Sequence, residues 1–155
     1  MKKICCTISL IFLMITAFGQ HKNSDKLSFI YGPSIGYQYQ KTSFLKTSFY
    51  ALTEVNSTDF LALNGGVNWT WQNRKTHVIP ELALTYYYKP MLLWPSLKAE
   101  VTPYTLTPKV GIGIFNILEI AAGYGFELQQ KKNLEPIKGF NFSVGLSVPL
   151  NFHFK

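Results

Sequence analysis

The groups able to carry chemistry in this chain are three histidines, eight carboxylates and two cysteines. His21 stands in a polar lead-in, His77 in a turn and His153 near the C-terminal end, and no two have the spacing of a metal-ligand pair. Nucleophilic catalysis needs a Ser, a His and an acid, or an equivalent set, brought to one place. His77 is followed by Val78 and Ile79, and His153 by Phe154 and Lys155, so neither has a serine as a near neighbour. The GIG and GYG runs at 111–113 and 123–125 lack the GxGxxG-then-helix context of a nucleotide site. The expectation is therefore a protein that is not an enzyme, with no cofactor and no metal. One constellation remains: Glu81, Lys109, Glu119 and Glu127 share the polar parity of their stretches, with Lys98 or Glu100 as companions. Such charges could line a selective pore. Buried charges are costly without partners, so a paired ionic network filling a narrow interior is the preferred reading.

The cysteines take no part. Cys5 and Cys6 fall inside a segment with Lys2 and Lys3 at its start, an apolar run from Ile8 to Phe18, and a small-x-small site at Ala17-Phe18-Gly19. That is the layout of a cleaved secretory signal over residues 1–19, too short in its apolar part to span a membrane as a helix. Both cysteines precede the apolar run, which argues against lipidation there. The mature chain then has no thiol and no disulfide.

Without Lys2 and Lys3 the formal net charge falls from +7 to +5. The remaining bases are scattered, only Arg74 is an arginine, and no basic stripe or RNA-binding aromatic signature appears, so nucleic acid is not an expected partner. Pairs such as Arg74-Lys75 and Lys131-Lys132 fall between strands, where anionic lipid headgroups or lipopolysaccharide phosphates would meet them. Charged residues make up 15% of the chain, against roughly 25–35% of a soluble surface. No run of 18 apolar residues exists to make a membrane helix.

The elements that would position these groups are strands. From Gly139 to Phe154 every even residue is apolar (Phe140, Phe142, Val144, Leu146, Val148, Leu150, Phe152, Phe154), while the odd ones are polar or small except Pro149. A strict period of two over that length fits a tilted membrane strand of ~9–11 residues plus flanks. Similar alternation marks 27–40, 60–72, 76–89, 104–115 and 117–128. Residues 41–58 and 90–103 alternate less cleanly. A strand in each (about 42–53 and 92–102) makes eight; without them there are six. Eight is the small-barrel size whose interior side chains can fill, and the expected count. Trp69, Trp71, Tyr86, Tyr88, Phe140, Phe142, Phe152 and Phe154 would form the aromatic girdles at the two interfaces. Prolines 33, 80, 108 and 149 each remove a ladder hydrogen bond and are expected at a rim or bulge.

The signal peptide ending AFG, the TPKVGIGIF…EIAAGYGFEL hairpin (Thr107–Leu128) and the aromatic-ended last strand together resemble the small outer-membrane β-barrels of Gram-negative bacteria. That is the OmpX-like and OmpA-transmembrane-domain-like class, in its Bacteroidetes form. The resemblance implies an all-β, antiparallel, up-and-down transmembrane β-barrel at residues 27–155, after a periplasmic lead-in at 20–26. It implies outer-membrane lipid and lipopolysaccharide around a monomer, and barrel-assembly machinery as a partner during insertion. Some barrels of this size are lipid A deacylases with a histidine two residues before the serine; that pattern is missing here. The last residue is Lys155 rather than an aromatic, a departure from the usual assembly signal. The expected role is structural, or adhesion and binding through loops. The alternatives are a soluble exported lipocalin-like carrier, whose aliphatic face would point inward, and a narrow pore.

Overall fold

The computed structural model describes residues 29–56, 58–72, 74–88, 92–114, 117–129 and 137–151. The expected signal peptide and lead-in, Lys131-Lys132, Phe152 and Phe154 lie outside them. Eight strands follow in chain order: β1 Phe29–Gln40, β2 Thr42–Asn56, β3 Asp59–Gln72, β4 Lys75–Tyr87, β5 Leu93–Val101, β6 Thr105–Ile114, β7 Leu118–Glu127 and β8 Gly139–Ser147. Each pairs antiparallel with the next, and β8 returns to β1, closing an up-and-down barrel. The two uneven stretches both form strands, β2 and β5. His77, expected in a turn, is instead the third residue of β4, opposite Thr70.

Strand alternation sorts the side chains. On β4 the outward row Val78, Pro80, Leu82 and Leu84 is exposed, while Ile79, Ala83 and Thr85 are buried. The same parity runs along every strand, so the barrel is apolar outside and largely polar within. Closure has a definite stagger. Stepping sideways from Phe29 to Thr53, Leu61, Tyr86, Leu97, Val110, Ala122 and Phe142 returns to β1 at Tyr39, ten residues further along. A ten-residue stagger at ~3.3 Å per residue, over eight strands ~4.8 Å apart, tilts the strands about 40° and sets a backbone radius of about 8 Å. That interior is narrow enough for side chains to fill.

Two turns on the rim away from the termini are tight. Arg74 takes φ 60, the left-handed conformation that a two-residue hairpin turn demands. Lys41 takes φ 55 between β1 and β2. β7 ends and β8 begins on the same rim.

The prolines are not all at rims. Pro80 is the sixth of thirteen residues in β4, and Pro108 the fourth of ten in β6. Both are tolerated because the ladder is interrupted where their missing N–H would fall. The β3–β4 hairpin closes on Gln72 and Lys75, a hydrogen-bonded pair, so Pro80 turns its nitrogen towards β5. Pairing with β5 begins only at Leu82. At Pro108 the β6–β7 ladder skips Thr107 and Pro108. Pro33 sits where the registered β1–β8 pairing stops at Ser34–Ser147, although its carbonyl still accepts the Val148 N–H at 2.9 Å.

Candidate functional site

Inside the barrel, six charged side chains from five strands converge. Lys46 of β2 holds Glu81 of β4 and Glu100 of β5, each at 2.7 Å. Lys109 of β6 holds the other oxygen of Glu100 at 2.8 Å, and Lys98 lies 4.0 Å from Glu100. Lys98 also binds Glu119 of β7, whose second oxygen accepts the Tyr87 hydroxyl at 2.6 Å. Three lysines meet three glutamates, so the cluster is neutral.

Neutral side chains extend it. Asn68 donates to Glu81 at 2.6 Å, and Lys109 donates to Gln38 at 2.8 Å and to Ser143 at 3.1 Å. Gln38 reaches Gln40, which donates to the Gly139 carbonyl at 3.3 Å. A continuous polar chain thus runs from Tyr87 on the termini side to Gln40 at the opposite rim. The cluster is deep: Glu100 is 2% exposed and Lys109 3%. Charges at that depth persist only because each one has opposite charges or hydrogen-bond partners on several sides.

Apolar clusters flank the polar chain at both ends. Towards the termini, Tyr50, Leu52, Ala62 and Tyr87 pack with Ile30, Phe60 and Trp94. Towards the other rim, Phe44, Ile79 and Ile137 pack with Tyr104. Phe60 and Trp94 stack at 5.3 Å, and Tyr87 meets Trp94 edge-on. Between the two ends lies a chamber of about 50 Å³, bordered by Lys46, Lys98, Glu119, Asn64 and the seam glycines Gly36 and Gly145. That is room for one or two water molecules, and Asn64 Oδ1, which makes no protein hydrogen bond, borders it.

Of the expected interior charges, Glu81, Lys109 and Glu119 are in the cluster, joined by Lys98 and Glu100. Glu127 is elsewhere. As the last residue of β7 it stands four positions past Gly123, the neighbour of Lys109, and pairs with Lys138 at 3.5 Å near the rim. Four residues of a strand tilted ~40° climb about 10 Å, beyond the reach of the cluster. Lys46 is the member missed by pattern reading. Its strand carries Phe44, Tyr50 and Leu52 inward as well as Leu45 and Phe49 outward, which blurs the alternation. Charge balance is the signal that points to it, because Lys98 and Lys109 together cannot neutralise Glu81, Glu100 and Glu119.

The outer surface is the second candidate. Among the described residues thirty large apolar side chains are exposed, against nine hydrophobic ones buried. Aliphatics fill the middle: Leu63, Leu82, Leu97, Val110, Ile120 and Leu146 are all exposed. Rings collect at the strand ends. Trp69, Trp71, Phe140 and Phe142 lie on the rim away from the termini, with Tyr39 and Phe126 beside them. Tyr86 and Tyr88 lie at the other end, as do Phe29 and Tyr31. Polar groups on this surface find partners within it: Trp69 Nε1 donates to Thr47 at 2.9 Å, and Tyr37 and Ser43 share a bond of 2.8 Å. No described outward position between the rims carries a charge. Comparison of the chain with protein-family models, with curated proteins and with solved structures finds no match to any of them.

Proposed function

We propose that this chain is an integral outer-membrane β-barrel of the small Gram-negative class, a non-catalytic monomer with a structural or loop-mediated binding role. The observation that carries the reading is the inverted distribution of polarity. Water does not tolerate a closed surface of exposed Leu, Val, Ile and aromatic side chains without a charge between the rims, and a bilayer core requires one. The twelve residues of β1 at a ~40° tilt climb about 28 Å, enough for the ~25 Å apolar band of such barrels. No helix among the described residues is long and apolar enough to cross a membrane, and a closed barrel needs none, because its strands pair with one another around the whole ring.

A soluble carrier is supported less well. It needs an apolar cavity of several hundred Å³, whereas this interior is ionic and the chamber beside its charges holds about 50 Å³. A pore is likewise disfavoured by the apolar clusters at both ends of the polar chain. The test is gel migration of the outer-membrane fraction, boiled against unboiled. The expected result is faster migration of the unboiled sample, since a closed ladder withstands the detergent. A protein released by osmotic shock with no migration shift sinks the proposal.

A further inference from the structure

We propose that the termini half of the β1–β8 seam is a side door into the charged interior, and that the side chain of Asn151 is its latch. The inference rests on the closed ring alone, not on what surrounds it.

The seam is built differently along its length. Six residue pairs are registered between β1 and β8, from Tyr39–Phe142 down to Ser34–Ser147, against twelve between β1 and β2. Its upper part is pinned from inside, because Lys109 donates to both Gln38 and Ser143, which are registered partners across the seam. Gln40 adds a second tie, to the Gly139 carbonyl. Below Gln38 the inward residues are Gly36, Ser34 and Gly32 on β1, with Gly145 and Ser147 on β8. None is longer than serine, so no long side chain ties the two strands there as Lys109 does above. Behind this stretch lies the chamber of about 50 Å³, with Ser34, Gly36, Gly145 and Ser147 on one side and Lys46, Lys98 and Glu119 on the other. The β4–β5 junction also has six registered pairs, but there Tyr87 and Trp94 meet edge-on across the two strands.

Main-chain bonding thins towards the termini. Val148 N–H donates to the Pro33 carbonyl and Leu150 N–H to the Tyr31 carbonyl, each at 2.9 Å. Pro33 has no N–H to return. At Tyr31 a side chain takes over: its N–H donates to Asn151 Oδ1 at 3.1 Å, and Asn151 Nδ2 donates to the Phe29 carbonyl. One amide thus supplies the acceptor and the donor that a further stretch of strand would supply. Both bonds are exposed, where water competes for them. Once Asn151 lets go, the Leu150 and Val148 bonds are what stands between the rim and the chamber. A seam parted that far admits water to Lys46, Lys98 and Glu119 while Lys109 still holds the upper half.

The test is amide hydrogen exchange, read residue by residue by NMR on the full chain in neutral detergent, its fold checked by unboiled migration. Two exposed hydrogen bonds contribute about tenfold to an opening equilibrium. Asn151→Ala should therefore speed exchange by that factor at Leu150, at Val148 and at Leu146, the next donor in the same alternation, opposite Ile35. The Tyr88 amide, which donates to the Pro95 carbonyl beside β4–β5, should be unchanged. Faster exchange at Tyr31 alone would make Asn151 a cap for one amide and overturn the latch. A second variant locks the seam. Ser34 and Ser147 are registered partners, and with Cys5 and Cys6 changed to serine, Ser34→Cys and Ser147→Cys leave one pair to oxidise. In the Asn151→Ala chain the closed disulfide should return Leu146 to its original rate while Leu150 stays fast. Leu146 still fast behind the lock means that the motion does not run along the seam, and overturns the door.

Discussion

Glu100 is the residue on which the interior depends. It touches all three buried lysines, and none of them is more than 14% exposed. Glu100→Gln leaves Lys109 without a carboxylate and the cluster with one excess positive charge. Removing one partner of a buried pair costs roughly 3–5 kcal/mol, whereas replacing both by apolar groups costs far less. Urea unfolding in lipid vesicles should show that loss for Glu100→Gln, and a smaller one for Glu100→Gln combined with Lys109→Met. A double variant no better than the single one would mean that the pair is not the unit of stability. Glycines give a second contrast. A Cβ at Gly123 would run into the Pro108 carbonyl and sit 2.9 Å from Lys109 Cα, both backbone, so Gly123→Ala should cost about 1–3 kcal/mol. At Gly65 a methyl group would meet nothing within 4 Å; Gly65→Ala should be neutral or stabilising by about 0.5 kcal/mol. The same urea titrations decide both.

Among the elements, the β5–β6 pair tests what surrounds the barrel. Leu97 and Val110 are registered partners, and each is 62% exposed on the outer face. Val110→Lys should cost roughly 2–4 kcal/mol in a bilayer, while a lysine at Trp71, close to the rim, should cost about 1 kcal/mol or less. Equal, negligible costs at both depths in vesicle unfolding would place the belt in water. These strands also mark the limits of pattern reading. Strands β3, β4, β6 and β7 are legible because one face is apolar and the other small or polar. In β2 and β5 the inward row includes Phe44, Tyr50, Leu52 and Trp94, which close the two ends of the core. With both faces apolar, β2 has no period to read, while β5 keeps Ser96, Lys98 and Glu100 inward and is blurred only at its Leu92-Leu93-Trp94 start. For the same reason Lys46 is hidden while Glu81, Lys109 and Glu119 can be found. Partner identity inside the cluster depends on the ten-residue stagger, which emerges only once all eight registers are known. The mid-strand positions of Pro80 and Pro108 have a related cause. Their acceptability depends on where a neighbouring strand stops, information that no single strand contains.

For the whole molecule, a neutral ionic core between two apolar ends amounts to a closed cylinder. Planar bilayers containing the purified barrel should show no discrete conductance steps at moderate voltage. Tyr50→Ala with Tyr87→Ala, which removes two large side chains from the termini-side cluster, should raise the leak. Steps in the unaltered protein would mean that the ends open and the polar chain conducts.

The stagger of the closed ladder also governs how such a chain can change over generations. Because the circuit from Phe29 comes back at Tyr39, one outward position meets another, and the seam joins like to like only while the offset stays even. A single residue gained or lost within one strand would set greasy positions against polar ones along both of its neighbours. Strand lengths in this lineage should therefore drift in steps of two, or by single residues only where a bulge absorbs the odd one, while the connections at the rims vary without that arithmetic.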